Sequence, residues 1–516
     1  MNNESQKKET PTTPVREEAE NTSESPPLTV VTTHETNTSV KEPSKQVDTT
    51  LGARFKNFFE EENLEPSTTE DNEDNKDAQP IQLKPDWYYW IFFASGFAGI
   101  IYVTIWGRYL TLFLGHAAHT QVLLFAMISC GLALGAILCV QLSQRLQRPL
   151  LWYSAIHIIL ALMAVYFHNI FAAAQSWAVH FVLPQIELAA KAEHFKWLLA
   201  AVLLVPPSIL LGATFPLISS GLVRLWPEIR GRLLSCLYFS NVLGAVFGGL
   251  VATFILLPFA GLPGSIAIAG FINTIAAAVV WVLGHLFDDV GKPIAANSRN
   301  APSFGKTALG ANTRLTALVT AVAFGSGLTL LVYQTVWLRM LSTLFGSSSY
   351  TLSIIGAVFI FGLALGGWYA SHRADKAEGE ILTFLGKGQI AIGVLALSAL
   401  ICLPLFYDFL NKGLATLPQN QLSNWKVIAW TAGLSSLMIL PATFYAGTTF
   451  PLLTRRLLDS DGEEAIGRVY AAGLLGAAVG ALISIHLLLP FVGLKQALLF
   501  GVFINMLLGV TQIGFV

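Results

Sequence analysis

The chain has 516 residues, of which 53% are hydrophobic and only 12% are charged. In soluble domains roughly a quarter of the residues are charged, so this composition excludes an ordinary soluble globular protein and indicates a chain that spans a membrane. The net charge of −1 hides a segregation, because residues 1–86 contain 19 acidic and 9 basic side chains and the remainder contains 13 and 22. An acidic tail therefore precedes a mildly basic membrane body.

The tail is rich in Glu, Thr, Ser, Pro and Asn, and its first 80 residues contain no apolar run. Such a segment cannot bury enough surface to offset the entropy of ordering it, so it is predicted to be disordered. It also lacks the basic start and apolar core of a signal peptide. One island, LGARFKNFFEEEN, places Leu51, Phe55, Phe58 and Phe59 on one helical face. It is either an amphipathic helix that binds a membrane or partner surface or a transient helix within the tail.

Twelve mostly apolar runs follow the tail, and a membrane-spanning helix needs roughly 20 such residues. The first six lie near 88–113, 119–143, 149–167, 196–222, 233–257 and 262–286. The second six lie near 315–342, 350–371, 382–405, 427–456, 466–489 and 494–514. The segment 168–195 is more mixed and is predicted to be an interfacial loop, with or without an amphipathic helix.

The distribution of Lys and Arg predicts the orientation of these helices, because cytoplasmic loops carry an excess of basic residues. One alternate set of loops contains 15 Lys and Arg residues, and the other set contains 7. The richer set is predicted to be cytoplasmic. Both termini, and the acidic tail with them, are then cytoplasmic.

An internal repeat is the strongest signal in the sequence. SGFAGIIYVTIWGRYLTLFLG, from Ser95, aligns without a gap with SGLTLLVYQTVWLRMLSTLFG, from Ser326. Four further blocks recur in the same order: GLALG at Gly131 and Gly362, GATFPL and GTTFPL at Gly212 and Gly447, LYFSNVLGAVFG and VYAAGLLGAAVG around Tyr238 and Tyr470, and LLPFAGL and LLPFVGL around Pro258 and Pro490. Chance does not give five blocks in one order, so the membrane body is a duplication.

The duplication predicts the architecture. Six spans per copy is an even number, so both copies share one orientation and are related by an axis along the membrane normal, as in major facilitator halves. The predicted fold is an all-α membrane protein of about twelve helices. Its predicted domains are an acidic cytoplasmic tail (1–86), a first six-helix repeat (87–287), a cytoplasmic linker (288–314) and a second repeat (315–516). The glycine pairs in GLALG and GAxxG are predicted to let helices approach closely.

The repeated blocks SGFAGIIYxxxWxR, GLALG, GATFPL and YxxNxxGAxxG resemble the membrane domain of spermidine synthase-like membrane proteins, also called fused major facilitator/spermidine synthase proteins. The resemblance covers nearly all of residues 90–514, once in each half. Two positions depart from the pattern. The Gly-Arg pair before the tyrosine is present at 467–468 but is Ser-Cys at 235–236, and the asparagine is Asn241 in the first copy but Gly473 in the second.

The resemblance also implies a soluble aminopropyltransferase domain, which many relatives carry, but no polar globular segment of this chain could hold one. The only relaxed glycine-rich match, at Gly386, Gly388 and Ala391, opens a membrane helix instead of following a strand, so it fails the structural context of a nucleotide site. The chain is therefore predicted not to be an enzyme. Spermidine synthase activity, catalytic residues and cofactors are not expected.

Polar side chains within the spans are the candidates for binding a solute. No Asp or Glu lies in the middle of a span, which argues against a proton-coupled carrier of polyamines, because polycations call for buried carboxylates. The candidate substrate-binding residues are Tyr102, Arg108, Asn241, Tyr333, Gln334 and Arg339.

Three of these candidates could have a role in anchoring or packing the helices instead of binding a solute. Arg108 and Arg339 each follow a tryptophan by two residues, so they either bind an anionic group as a pair or anchor the helices at the interface by snorkelling. Asn241 has no counterpart in the second copy, so it either marks a site or makes an interhelical hydrogen bond.

No metal site is predicted. The four cysteines lie in apolar segments without CxxC spacing, and buried cysteines usually act as small hydrophobes. His157 and His486 have no partner at ligand spacing, and His116 and His119 alone are a weak signal.

Two functions remain open from the sequence. The first is a transporter-like carrier of a small neutral, anionic or lipidic solute. The second is a non-transporting scaffold or accessory subunit of a larger complex. The expected partners are membrane lipids, a small solute and a protein bound through the tail, with no nucleic acid. The resemblance fits a cell inner membrane.

Overall fold

The computed structural model describes residues 85–115, 117–143, 146–286, 313–346, 348–374, 378–415 and 424–516. The predicted tail (1–86), with its aromatic island, and the predicted linker (288–314) lie almost wholly outside the described residues. The described ranges together form one compact membrane body, which contains both repeats.

Twelve long helices form the described part of the chain, which contains no strand. The first six are α1 (Asp86–Leu114), α2 (Ala117–Ser143), α3 (Pro149–Trp177), α4 (Ala189–Leu225), α5 (Arg230–Val251) and α6 (Leu257–Leu286). The second six are α7 (Thr313–Phe345), α8 (Ser349–Ser371), α9 (Glu378–Ile401), α10 (Asn424–Asp461), α11 (Glu464–Ile483) and α12 (Gly493–Phe515).

These helices make ten uninterrupted apolar segments within the described ranges, each long enough to cross a membrane. Two segments, Arg230–His285 with 56 residues and Glu464–Phe515 with 52, far exceed the roughly 20 residues of one crossing. Each contains a π-helical turn and then a glycine with left-handed φ, Gly261 at +65° and Gly493 at +77°. Both are the glycine of the LLPFxGL block, one residue before its end, and only glycine adopts this conformation without strain.

The chain reverses at these two glycines. In the first repeat α5 runs parallel to α1, whereas α6 runs antiparallel to α3. The facing residues that show this are Gly244 with Phe93, Gly248 with Phe97, Gly270 with Ala161, and Gly284 with Leu151. Each long segment therefore crosses twice, which gives twelve crossings and confirms the predicted fold class.

Both repeats use the same helix pairs. Within the first repeat α1 packs on α5, α2 on α4 and α3 on α6, and the second repeat matches these with α7 on α11, α8 on α10 and α9 on α12. Between the repeats α2 packs on α11 and α5 on α8, which are again equivalent pairs. The two halves are thus related by an approximate two-fold axis between them.

Glycines allow the closest of these contacts, as the sequence predicts. A Cβ on Gly244 or on its copy Gly476 would overlap a backbone carbonyl, that of Phe93 or Phe324. Gly135 and Gly366 of the GLALG blocks meet carbonyls of α4 and α10 in the same way. Without Cβ atoms, the backbones come into direct contact and gain dispersion energy that lipid cannot replace.

The prediction of an interfacial loop over 168–195 is wrong. Helix α3 continues to Trp177, a π-helical turn (Ala178–Val182) and a 3-10 turn (Leu183–Gln185) follow, and α4 begins at Ala189. The segment is helical because Phe171 and Ala178 pack into the core of the first repeat, which outweighs its mixed composition. A further short helix, Leu403–Ala415, follows α9 and was not predicted.

The glycine contacts predict a sharp difference between superficially similar variants. Gly244→Ala and Gly476→Ala should each destabilise the protein by about 1–3 kcal/mol, the usual cost of overpacking. Gly99→Ala should change stability by less than about 0.5 kcal/mol, because no atom lies within 4 Å of the added Cβ. Unfolding in lipid nanodiscs measures all three. Equal loss in Gly99→Ala would contradict the role of close packing.

Candidate functional site

Four aromatic rings, two from each repeat, meet where the two-fold axis passes. Phe215 lies 5.2 Å from its copy Phe450 and 5.2 Å from Tyr470, measured between ring centroids. Tyr238, the copy of Tyr470, lies 5.4 Å from Phe450. A residue that contacts its own copy must lie near the axis, so this cluster, named the axial aromatic cluster, marks the centre of the interface.

A cavity of about 260 Å³ adjoins the axial aromatic cluster. It lies towards the side at which α1 and α7 begin, named here the basic side because its loops hold the larger number of Lys and Arg. Phe450, Tyr238 and Tyr470 line it, together with Ser326, Gln389 and Thr449. None of the described residues that line this basic-side cavity is charged.

A second cavity, of about 150 Å³, lies between the repeats towards the opposite side of the membrane body. Helices α1 and α2 of the first repeat and α7 and α8 of the second contribute to its wall. Arg108 lines it, and its guanidinium donates a hydrogen bond to Ser349 of the other repeat. Gln334 and Gln121 add amides. This opposite-side cavity is therefore the more polar one and is positively charged.

An apolar wall separates the two cavities. Val122 and Ala126 of α2 pack there with Leu331 of α7 and with α11. Phe125, one turn before Ser129 on α2, faces the opposite-side cavity, and Leu330, one turn before Gln334 on α7, faces the basic-side cavity. A solute that passed from one cavity to the other would have to displace this wall.

Each repeat also contains a buried tyrosine–asparagine hydrogen bond. Asn273 donates through Nδ2 to the hydroxyl of Tyr102 at 3.0 Å, and Asn505 does so to Tyr333 at 3.1 Å. The two tyrosines stack on Trp106 and on its copy in the second repeat, at centroid distances of 5.6 and 5.3 Å. The duplicated geometry indicates that these residues join α1 to α6 and α7 to α12.

The structure places the six predicted site residues in different surroundings. Arg108 and Gln334 share the opposite-side cavity, and Tyr333 lines the basic-side cavity. Tyr102 is buried in the core of the first repeat.

The remaining two candidates, Asn241 and Arg339, line neither cavity. Asn241 donates to the carbonyl of Phe92 at 3.3 Å, which fits the interhelical alternative. Arg339 is half-buried, and its Nε has no hydrogen bond to the described residues. A role in binding stays a prediction for all six.

Ion pairs join the two repeats at the basic side. Arg224, at the end of α4, donates two hydrogen bonds of 2.7 Å to the carboxylate of Glu463, and Arg230 pairs with Asp459. Arg224 thereby contacts the turn before α11, and Arg230 contacts the last turn of α10. Half-buried ion pairs therefore bridge the two repeats at the basic side.

Residue-by-residue reasoning missed the axial aromatic cluster. Its four members do lie in the TFPL and LYFS/VYAA blocks of the repeat, but aromatic residues in an apolar helix carry no signal of their own. Only their meeting across the interface distinguishes them. The described residues contain no group of three potential metal ligands.

Comparisons with known proteins give structural resemblances but no family. No protein-family model and no curated protein matches the chain. Among solved structures, the major facilitator proton:xylose symporter XylE, bound to 6-bromo-6-deoxy-D-glucose, shares 13% identity over 84% of this chain and 96% of its own, with a TM-score of 0.49. The POT family transporter PepTSo shares 11% identity over 83% and 97%, with a TM-score of 0.47. These identities and TM-scores are too low to assign the solute or activity of either transporter to this chain. The helices themselves identify a multi-pass membrane protein of two six-helix repeats.

The tyrosine–asparagine pairs predict unequal effects of equivalent substitutions. Tyr102→Phe leaves Asn273 with no partner, because its Oδ1 is already unpaired within the described residues, and should cost about 1–3 kcal/mol of stability. Tyr333→Phe should cost less, because Asn505 keeps a hydrogen bond from Thr329 at 2.9 Å.

Unfolding in nanodiscs measures this difference. The double variant Tyr102→Phe/Asn273→Leu should recover most of the loss, since it removes both polar partners. A greater loss in Tyr333→Phe than in Tyr102→Phe would refute this account of the two pairs.

Proposed function

We propose that this protein is a membrane carrier that moves a small solute between the two cavities by rocking its repeats against each other. The observation that carries the proposal is the pair of cavities on either side of an apolar wall at the interface between two pseudo-symmetric halves. Binding between inverted or parallel repeats with rigid-body rocking is the general design of secondary carriers.

Rocking requires strong contacts within each repeat and weaker contacts between the repeats, and the observed contacts fit this requirement. Inside each repeat, glycine-mediated helix pairs hold the backbones in direct contact. Across the basic side, the Arg224–Glu463 pair leaves 31% and 27% of its side chains exposed, and exposed ion pairs contribute only about 0.2–1 kcal/mol. The repeats can therefore move as units while the basic side opens at small cost.

The cavity linings support the proposed solute class. Among the described residues, neither lining contains Asp or Glu, so these linings offer no carboxylate to compensate a polycation such as a polyamine. Arg108 supplies a positive charge to the opposite-side cavity. We therefore retain a neutral, anionic or lipidic solute. That the six candidate residues bind it is part of the proposal.

Family and location belong to the same proposal. The repeated motifs support a spermidine synthase-like membrane protein without its aminopropyltransferase domain, because no polar globular segment of the sequence could hold that domain. The excess of Lys and Arg on the basic side supports cytoplasmic termini in a cell inner membrane. The four proposed domains keep the boundaries predicted from the sequence.

Transport into proteoliposomes tests the proposal. Vesicles containing the full chain are incubated with a metabolite extract, and mass spectrometry identifies what enters. Gly356→Phe fills the opposite-side cavity from a helix position with no atom within 4 Å of its Cβ and should abolish accumulation. Gly433→Phe, equally unobstructed but on the exposed surface, is the matched control and should leave it unchanged.

Two outcomes would overturn the carrier proposal. One is that no solute enters wild-type vesicles above the level in protein-free vesicles. The other is that purification from native membranes yields a stoichiometric partner protein that is lost when residues 1–80 are deleted, without any transport. The second outcome would support the accessory-subunit function.

The ion pairs predict how the basic side responds to charge removal. In a background without the native cysteines, Leu474→Cys places a thiol in the basic-side cavity. Adding Glu463→Gln breaks the pair between the repeats and should raise the labelling rate by a membrane-impermeant thiol reagent roughly fivefold, the change in open population that about 1 kcal/mol produces.

The control is Glu464→Gln, which weakens a pair with Arg468 inside the second repeat and should leave the rate unchanged. Equal rates in the two variants would mean that the ion pairs between the repeats do not hold the basic side closed.

A further inference from the structure

The basic-side cavity lies mainly in the second repeat, and Ser129 and Tyr238 contribute to its wall from the first. The repeats differ at two facing positions beside it. In the first repeat Phe92 and Asn241 occupy this place: Phe92 is 1% exposed, and its ring lies 5.6 Å from that of Phe215. Their counterparts at the repeat offset are Ala323 and Gly473, and both line the cavity.

The helices are not further apart in the second repeat. A Cβ on Gly96 of α1 would overlap the carbonyl of Asn241, and a Cβ on its copy Gly327 of α7 would overlap the carbonyl of Gly473 in the same way. The nearest atom to a Cβ on Gly473 is the carbonyl oxygen of Ala323 at 3.7 Å. The cavity therefore results from missing side chains within a conserved backbone arrangement.

Polar groups border this space. Tyr238 and Tyr470 both line it, and their side chains are half-buried. Gln389, which is 1% exposed, donates through Nε2 to Ser326 at 2.8 Å, while its Oε1 has no partner among the described residues. Buried polar groups are normally paired, so the amide oxygen of Gln389 favours an occupant that donates a hydrogen bond, and the two phenol hydroxyls offer further polar contacts.

The lining also determines the charge and size of the occupant. The lining residues that the structure describes are all uncharged, so a charged group would lose its hydration there without compensation. The rings of Phe450, Tyr238 and Tyr470 offer apolar faces against which a flat molecule can pack. A cavity of about 150 Å³ admits benzene, so one of about 260 Å³ admits roughly ten non-hydrogen atoms.

We infer that the basic-side cavity is a binding site for an uncharged, largely aromatic or alicyclic molecule of this size with a polar group that hydrogen-bonds to Tyr238 and Tyr470. The site exists in the second repeat because Ala323 and Gly473 replace Phe92 and Asn241. If the carrier function holds, this ligand is its solute, and the class narrows to uncharged molecules. That identification rests on the proposed function, whereas the binding itself does not.

Equilibrium dialysis of the full chain in nanodiscs tests the inference without any transport step. The uncharged probes are indole, 2-naphthol and benzamide, and the charged counterparts are indole-3-carboxylate and tryptamine. Saturable binding of at least one uncharged probe, at one molecule per chain, is expected. Ala323→Phe/Gly473→Asn, which restores the first-repeat side chains, should weaken it at least tenfold, and Gly433→Phe should not.

Variants that keep the aromatic rings but lose the hydroxyl groups test the hydrogen bonds to the ligand. Tyr238→Phe/Tyr470→Phe keeps the rings and should weaken binding of the uncharged probe roughly fivefold. If the filled variant does not fold, judged by its melting temperature, Gly473→Ala serves in its place, because its Cβ meets no atom closer than 3.7 Å.

Several results would overturn the inference: no uncharged probe binds, the filled variant binds as well as wild type, the charged counterparts bind as tightly, or a phospholipid chain occupies the cavity in the purified protein. Binding without transport would instead overturn the carrier function and leave the site intact.

Discussion

Direct contact between helix backbones is the constraint on which this structure depends. In a membrane, burying apolar side chains gives little advantage, because lipid is equally apolar. Glycines on α5 and α11 remove the Cβ atoms that would otherwise hold these helices away from α1 and α7. The π-helical turn and the left-handed Gly261 or Gly493 then reverse the chain, so that α6 and α12 pack beside the same pair. Each repeat is therefore closely packed along its own helix pairs.

The interface between the repeats is built differently. It combines aromatic rings on the axis, a small apolar wall and half-exposed ion pairs at the basic side. These contacts can be exchanged for similar contacts at little cost, since ring packing tolerates sliding and exposed charges find water when they separate. Closely packed halves joined by weaker contacts fit the proposed mechanism, in which the repeats rock against each other.

The two cavities differ because the repeats carry different side chains at a few equivalent positions. Duplication by itself would place equal cavities in both halves. Phe92 and Asn241 fill the first half, whereas the smaller Ala323 and Gly473 open the second, although the backbones are packed alike. Arg108 likewise faces the opposite-side cavity, while its copy Arg339 does not line it. The two halves are thus alike in backbone packing and differ in the side chains that line the two cavities.

The sequence alone determined that the chain spans a membrane, how many times it crosses, that it is duplicated and where its glycines pack closely. These features follow from the length of the apolar runs and from side chains that recur at fixed spacing. It also identified Asn241 and Gly473 as the point where the copies differ. It could not show that Tyr238, Tyr470, Phe215 and Phe450 meet, nor that the missing side chains leave a cavity. Those features depend on how two helical bundles face each other, and contacts between residues more than 200 positions apart leave no periodic trace in a single chain.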